Sequence, residues 1–108
     1  MAIEKVEVLN IAECVCKRPK MFTATGSIEE IVAFFSGYES ASMYSSNVKD
    51  MSPVEALSWI SSECGIEDRF SYGLPLNYVE VVKSRFGTSS NLLEELLSYF
   101  SSLKHSST

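Results

Sequence analysis

The chain has 108 residues, of which 45% are apolar and 21% are charged, and its formal net charge is −5. This length and composition are typical of one folded domain and exclude a disordered chain. No apolar run approaches the roughly 20 residues that cross a bilayer, and the N-terminus lacks the basic start and apolar run of a signal peptide. We therefore expect a single domain over residues 1–108 that is cytoplasmic and does not bind a membrane.

The negative charge is concentrated in the middle of the chain, where residues 27–68 hold eight acidic residues and one lysine, a net charge of −7. Such a segment repels phosphate backbones, so we expect no direct nucleic-acid binding. It attracts basic proteins, and its carboxylates are therefore the candidate partner-binding residues. They are Glu29, Glu30, Glu39, Asp50, Glu55, Glu63, Glu67 and Asp68. The alternative is that these side chains only solvate outward helix faces.

The first predicted helix covers about Val6 to Cys16, although the run VEVL within it also suits a strand. Pro19 cannot continue a helix, and it biases Arg18 toward extended geometry. The helix should therefore end at Cys16 or Lys17.

The loop that follows is predicted to act as a clamp between two helices. Met21 and Phe22 are apolar, so we expect them to fold back over the second helix. Arg18 can pair with a carboxylate or bond loop carbonyls through its planar guanidinium. Gly26 gives the chain freedom to turn into that helix.

The second predicted helix begins after Ser27, which has the capping-box partner Glu30 three residues later. Its apolar face has helical spacing and consists of Ile28, Ile31, Val32, Phe35 and Tyr38. Gly37 lies inside this pattern at a cost of up to about 1 kcal/mol relative to alanine. We therefore expect another backbone or a bulky ring to pack against Gly37.

The third predicted helix repeats the pattern, with Ser52 as its cap, Pro53 in its first position and Glu55 completing the box. Gly65 should end it in the left-handed conformation. Its apolar stripe consists of Val54, Leu57, Ile60 and Cys64.

The last two segments complete the predicted fold. Asn77 and Gly87 are typical of helix ends, but the valines between them also suit a strand, so residues 77–86 remain open between helix and strand. Residues 89–105 carry the strongest helical stripe, formed by Leu92, Leu93, Leu96, Leu97, Phe100 and Leu103. The sequence thus predicts an all-α fold, a compact irregular bundle of about five helices, with residues 105–108 as a frayed tail.

Residue types that carry catalysis or bind metals are scarce. His105 is the only histidine, which disfavours a nucleophile–histidine site, and zinc would need about four close ligands. Cys14, Cys16 and Cys64 lack C-x-x-C spacing and are expected to be free thiols. We therefore expect no catalytic residue, no metal and no cofactor. Trp59 lies beside the apolar stripe of its helix and is expected to pack in the core or in a groove.

The run KRPKMFTATGSIEEIVAFFSGYESA, residues 17–41, resembles a motif of small bacterial immunity proteins from polymorphic toxin systems, including contact-dependent growth inhibition. That motif reads roughly K-R-P-G-M-Y-x-G, then a serine before an apolar residue, then F-hydrophobic-x-G-Y. The residues that correspond to positions of the motif are Lys17, Arg18, Pro19, Met21, Phe22, Ser27, Phe34, Gly37 and Tyr38. The chain departs from the motif at Lys20, where the motif has glycine, and at Phe22, where it has tyrosine.

The resemblance implies an inhibitor rather than an enzyme. Such a protein stays in the cytoplasm of the toxin-producing cell and binds the C-terminal domain of its cognate toxin, often a nuclease. Nuclease domains tend to be basic because they bind polyanions, so an acidic antagonist suits them. In this interpretation the motif is structural, and exposed acids and aromatic residues elsewhere give specificity. Its structural residues are Arg18, Pro19, Met21, Phe22, Ser27, Gly37 and Tyr38.

Two other hypotheses compete with this interpretation, and the oligomeric state stays open under all of them. A helical adaptor would bind a cellular protein through an apolar groove, with Trp59, Met43 or Met51 exposed in one patch. A small enzyme would use carboxylates and tyrosines, but the chain has no evident catalytic base.

Overall fold

The structure, a computed structural model, describes residues 9–45, 49–66 and 77–106. These residues form five α-helices: α1 Ile11–Lys17, α2 Ile28–Tyr44, α3 Ser52–Glu63, α4 Tyr78–Phe86 and α5 Ser89–Ser106. A short 3-10 helix, Pro19–Met21, follows α1. The described ranges contain no strand, which confirms the all-α prediction, and the open segment forms the helix Tyr78–Phe86 after Asn77. Since α5 continues through Ser106, residues 105 and 106 belong to a helix rather than to a frayed tail.

Some predictions fall on residues outside the described ranges. These are the candidate acids Glu67 and Asp68, the expected helix start at Val6, and residues 107–108 of the tail. Leu9 and Asn10, which were expected to be helical, are described and precede the helix. No helix in the described ranges is long and apolar enough to cross a membrane.

The core lies between α2 and α3, which pack against each other, with α1 against α3 and α5, and α4 against α2 and α5. Ten of its buried residues come from the predicted apolar faces: Ile28, Ile31, Val32, Phe35, Leu57, Ile60, Leu92, Leu93, Leu96 and Phe100. The other six are Ala12, Val15, Ala56, Tyr78, Val82 and Phe86. Five residues of those faces are not fully buried: Tyr38, Val54, Cys64 and Leu97 are half-buried, and the last turn of α5 leaves 38% of Leu103 exposed.

The beginning of α1 is capped by its own side chains. The Asn10 side chain accepts a hydrogen bond from the Glu13 backbone N–H at 2.8 Å, and the Glu13 carboxylate accepts one from the Asn10 N–H at 3.2 Å. This capping box explains why α1 begins at Ile11, after Leu9 and Asn10. Glu13 is only 1% exposed, and its charge is paired with the Lys104 ammonium of α5 at 2.9 Å.

The two N–H groups between Asn10 and Glu13 are held by Ser52 of α3 and by Asp50, which precedes that helix. The Ile11 N–H donates to the Asp50 carboxylate at 2.8 Å, and the Ala12 N–H donates to the Ser52 hydroxyl at 3.0 Å. We call these four residues the α1–α3 lock. The prediction that Ser52 caps α3 is wrong, because Ser52 is the first residue of that helix, after Met51, and its hydroxyl serves α1 instead.

Glycine ends two of the helices as predicted. Gly65 and Gly87 follow α3 and α4 with φ angles of +71° and +83°. Residues with a Cβ rarely adopt this backbone conformation. Asn77 precedes α4 as predicted, but its side chain makes no capping hydrogen bond.

Gly37 does not have the neighbour that its position in α2 suggested. It is exposed, and a methyl group placed on it would meet no atom within 4 Å. The prediction that a backbone or a ring packs there is wrong for the described residues, because the apolar face of α2 points its larger side chains elsewhere.

All three cysteines are free and half-buried, as predicted. Burial and, to a lesser extent, the nearby Glu13 carboxylate raise the pKa of the Cys16 thiol to about 12. Such a thiol stays protonated at neutral pH and packs as a small apolar group.

We expect Asp50→Asn to lower the free energy of unfolding by about 1–2 kcal/mol at neutral pH, because an amide has one acceptor oxygen where the carboxylate has two. Burial alone would raise the pKa of the Asp50 carboxyl, but hydrogen bonds from the Ser52 hydroxyl and from the Ile11 and Ser52 N–H groups hold it below 3.8. Because the pKa of Asp50 is lower in the folded state than in the unfolded state, its ionised form stabilises the fold at pH values above the unfolded-state pKa. This stabilisation is lost as the pH falls through the folded-state pKa. The difference between the two proteins should therefore shrink below pH 3.8.

Urea unfolding followed by far-UV circular dichroism measures this difference. Glu80→Gln is the matched control, since it neutralises an exposed carboxylate on α4 and should change the free energy of unfolding by less than about 0.5 kcal/mol. Equal losses in the two variants, or a difference for Asp50→Asn that stays constant down to about pH 2, would contradict the role of the lock.

We expect Gly37→Ala to raise the free energy of unfolding by about 0.5–1 kcal/mol, because alanine is the better helix former and the added methyl meets no neighbour. Gly87→Ala is the matched control, since its methyl also has open space around it but its φ is +83°. That variant should be destabilised, because an L-residue is strained there. Thermal unfolding of both variants checks the prediction, and a Gly37→Ala protein that melts lower would disprove it.

Candidate protein-binding surface

Three aromatic rings meet where α3, α4 and α5 come together. The Trp59 ring of α3 stacks on the Tyr99 ring of α5, with 5.4 Å between centroids and an interplanar angle of 21°. It also contacts the Phe86 ring at 5.8 Å. Trp59 and Tyr99 remain half-buried, so they pack against the core and still present part of their rings at the surface.

Glutamates of α3 flank this aromatic cluster. Glu55 and Glu63 lie four residues before and four residues after Trp59, which places them on the same helix face. The Tyr99 hydroxyl donates to the Glu55 carboxylate at 3.1 Å and fixes the tyrosine ring. Burial raises the pKa of Tyr99, and this hydrogen bond raises it further.

Arg85 lies between two carboxylates at the edge of the cluster. Its guanidinium donates to Glu63 at 2.8 Å and to Glu95 at 3.2 Å, and its Cζ lies 4.6 Å from the centre of the Phe86 ring. Glu95 and then Glu63 raise the pKa of Arg85. The guanidinium is therefore held by charge-assisted hydrogen bonds and an aromatic ring together.

A cleft of about 490 Å³ opens beside Trp59. Its lining residues are Trp59, Asn91, Glu94, Glu95, Ser98 and Tyr99. The Asn91 amide donates to Glu95 at 3.2 Å and to the Phe86 carbonyl at 2.8 Å, which anchors this wall of the cleft. Glu94 is exposed and forms no hydrogen bond or ion pair with another described residue.

Together these side chains form one surface, which we call the acidic–aromatic face: Glu55, Trp59, Glu63, Arg85, Glu94, Glu95 and Tyr99. Its four glutamates and one arginine give it a net charge of −3. Stacked aromatics rimmed by carboxylates offer apolar contact area and attract cations.

Of the six candidate acids that lie in the described ranges, the structure brings only Glu55 and Glu63 to this face. Glu29 lies on α2 and pairs with Lys83 of α4, which lowers the pKa of Glu29. Glu39 is half-buried near the end of α2. Asp50 accepts backbone hydrogen bonds in the α1–α3 lock.

Glu30, another candidate acid, holds the loop between α1 and α2 in place. Its carboxylate accepts hydrogen bonds from the Thr25 hydroxyl and N–H, the latter at 2.7 Å, and from the Ala24 N–H at 3.1 Å. These bonds, the Thr25 hydroxyl first, lower the pKa of Glu30 to about 2. Ser27 accepts from the Glu30 N–H at 3.3 Å, which confirms the predicted cap.

The rest of the motif forms a tight turn at the end of α1. The helix ends at Lys17 as predicted, and Pro19 begins the 3-10 turn. Gly26 adopts a φ of +75° before α2. Tyr38 is half-buried on α2. Arg18 is exposed, and no described carboxylate or loop carbonyl accepts from its guanidinium.

Met21 does not fold back as predicted. Its side chain is 70% exposed, because the 3-10 turn that it ends leaves it at the surface. Phe22 contacts the Phe34 ring of α2 at 5.5 Å but remains 37% exposed. Both line an apolar cleft of about 350 Å³ with Leu9, Cys14, Lys17 and Arg18.

The residues named for the adaptor hypothesis differ in how exposed they are and in what they contact. Met43 and Met51 are 75% and 48% exposed, and Tyr44 beside Met43 is 92% exposed. Trp59 instead belongs to the acidic–aromatic face, where it stacks on Tyr99.

Sequence reasoning missed Glu94, Glu95, Tyr99 and Arg85 as members of the face. A signal was available, since Glu95 and Tyr99 are four residues apart and lie together at the flank of the apolar stripe of α5. Net charge along the sequence did not single out these residues, because the C-terminal part of the chain, which contains α5, has a slight net positive charge.

Comparisons of the chain with protein-family models, with curated protein sequences and with solved structures find no match. Its function is therefore inferred from the motif of residues 17–41 and from the surfaces described above.

Proposed function

We propose that this chain is a bacterial immunity protein. It binds the C-terminal domain of a cognate toxin, a basic nuclease, and neutralises that domain by stoichiometric binding in the cytoplasm of the toxin-producing cell. The protein acts by contact alone, without catalysis, a metal or a cofactor. The acidic–aromatic face is the observation that carries this proposal.

The face suits a basic protein partner for two physical reasons. Its carboxylates steer a positively charged domain toward it, which raises the association rate most at low ionic strength. Trp59, Tyr99 and Arg85 are of the residue types that dominate binding energy at protein interfaces. Charge thus supports fast encounter, and the stacked rings support slow dissociation.

Inhibition follows if the same toxin surface recognises nucleic acid. A nuclease binds the phosphate backbone through basic side chains, and the glutamates of the face occupy those side chains in competition with the substrate. The motif acts as scaffold in this proposal, because Glu30, Ser27 and Pro19 fix the path from α1 to α2.

A specific observation favours a second function, that of a helical adaptor for a cellular protein. The apolar cleft beside Met21 and Phe22 lies at the surface and has the character of a groove that accepts an apolar side chain. Met21→Ser would weaken an adaptor complex, whereas it should leave toxin binding through the acidic–aromatic face unchanged.

We expect the combined variant Glu55→Gln, Glu63→Gln and Glu94→Gln to slow association with the toxin domain encoded directly upstream by about tenfold at low salt. It removes three negative charges from the face while keeping the shape of the side chains. The association rate should also lose most of its dependence on salt. Stopped-flow mixing at low and high salt measures both quantities.

The control is a second combined variant, which removes three negative charges from α2 and α4 by the substitutions Glu29→Gln, Glu39→Gln and Glu80→Gln. Its association rate should change by less than about twofold. Similar slowing in both variants would mean that only net charge matters, and the acidic–aromatic face would then not be the binding surface. Failure of the unsubstituted protein to bind the toxin domain at either salt concentration would overturn the immunity function.

A further inference from the structure

We propose that the cleft of the acidic–aromatic face binds one arginine side chain of the partner. This inference rests on the proposed function, because it names the group that the toxin domain inserts. The site consists of the Trp59 and Tyr99 rings, the Glu94 carboxylate and the Ser98 hydroxyl, which line the same cleft of about 490 Å³.

The face already holds one guanidinium in a setting of the same composition. Arg85 lies against the Phe86 ring at 4.6 Å and donates to the carboxylates of Glu63 and Glu95. The Phe86 ring in turn contacts the Trp59 ring at 5.8 Å. The cleft likewise brings aromatic rings and a glutamate together, since Trp59, Tyr99 and Glu94 all line it.

The second setting has its aromatic rings and its anion but no cation from the described chain. Glu94 is exposed and forms no ion pair with a described residue, in contrast to Glu63 and Glu95, which share Arg85. The Ser98 hydroxyl supplies a further hydrogen-bond acceptor in the cleft. A side chain that fills this position must be cationic and must present several donors.

Arginine meets these requirements better than lysine. Its guanidinium is planar, stacks on aromatic rings and donates two parallel hydrogen bonds to a carboxylate. It is also more weakly hydrated than an ammonium, so it loses less when it enters a cleft beside indole and phenol rings. An anionic or nucleic-acid ligand is excluded, because the face has a net charge of −3.

Trp59 reports on this cleft alone, since it is the only tryptophan in the chain. We would titrate the full protein with hexa-arginine and, separately, with hexa-lysine, and follow the emission of Trp59. Hexa-arginine should change the emission saturably, with an apparent affinity several-fold higher than that of hexa-lysine. Glu94→Gln should weaken hexa-arginine binding by about tenfold, as expected for the loss of one charge-assisted pair.

Glu80→Gln is the control for net charge, and it should change the affinity for hexa-arginine by less than about twofold. Equal affinities for the two peptides, or equal effects of the two variants, would overturn the site, because general attraction between opposite charges would then explain binding.

The same measurement with the toxin domain separates this inference from the proposed function. A complex that forms without a change in Trp59 emission, and that Glu94→Gln does not weaken, would overturn the arginine site while immunity stands. Selective hexa-arginine binding without any toxin complex would support the site and overturn the immunity function.

Discussion

The four backbone N–H groups at the beginning of α1 are all held by side chains, and the placement of the N-terminal part of the fold depends on this. A helix of seven residues is too short to persist alone in water. Asn10 and Glu13 satisfy two of the groups locally. Ser52, the first residue of α3, and Asp50, two residues before it, satisfy the other two. Because α1 leads into the 3-10 turn, its docking also sets where the motif loop meets the solvent.

Much of the helical fold was predictable because its signals are local. Ser27 caps the helix that follows it, and Gly65 ends α3 in the conformation that only glycine adopts readily. The predicted capping role of Ser52 was wrong, because a capping pattern reflects only neighbouring residues, whereas the Ser52 hydroxyl accepts a hydrogen bond from Ala12, 40 residues away. The predictions for Met21 and Gly37 were also wrong, because an apolar residue or a glycine in the sequence does not reveal whether another side chain packs against it in the fold.

The candidate surface was predictable only in part, for a similar reason. Glu55, Glu63 and Trp59 belong to one helix and share a face by helical periodicity alone. Tyr99 joins them only through the packing of α3 on α5, which stacks its ring on Trp59 across 40 positions of sequence. Counting charge along the chain also could not separate Glu30 and Asp50, which hold backbone groups, from glutamates that face solvent.

The pairing of Glu13 with Lys104 has a consequence for synthesis of the protein on the ribosome. Chains emerge N-terminus first, so α1 is made long before the ammonium group that neutralises its buried carboxylate. Burying that charge without its partner would be costly. We therefore expect α1 to dock only after α5 has emerged, although α1 is translated earlier.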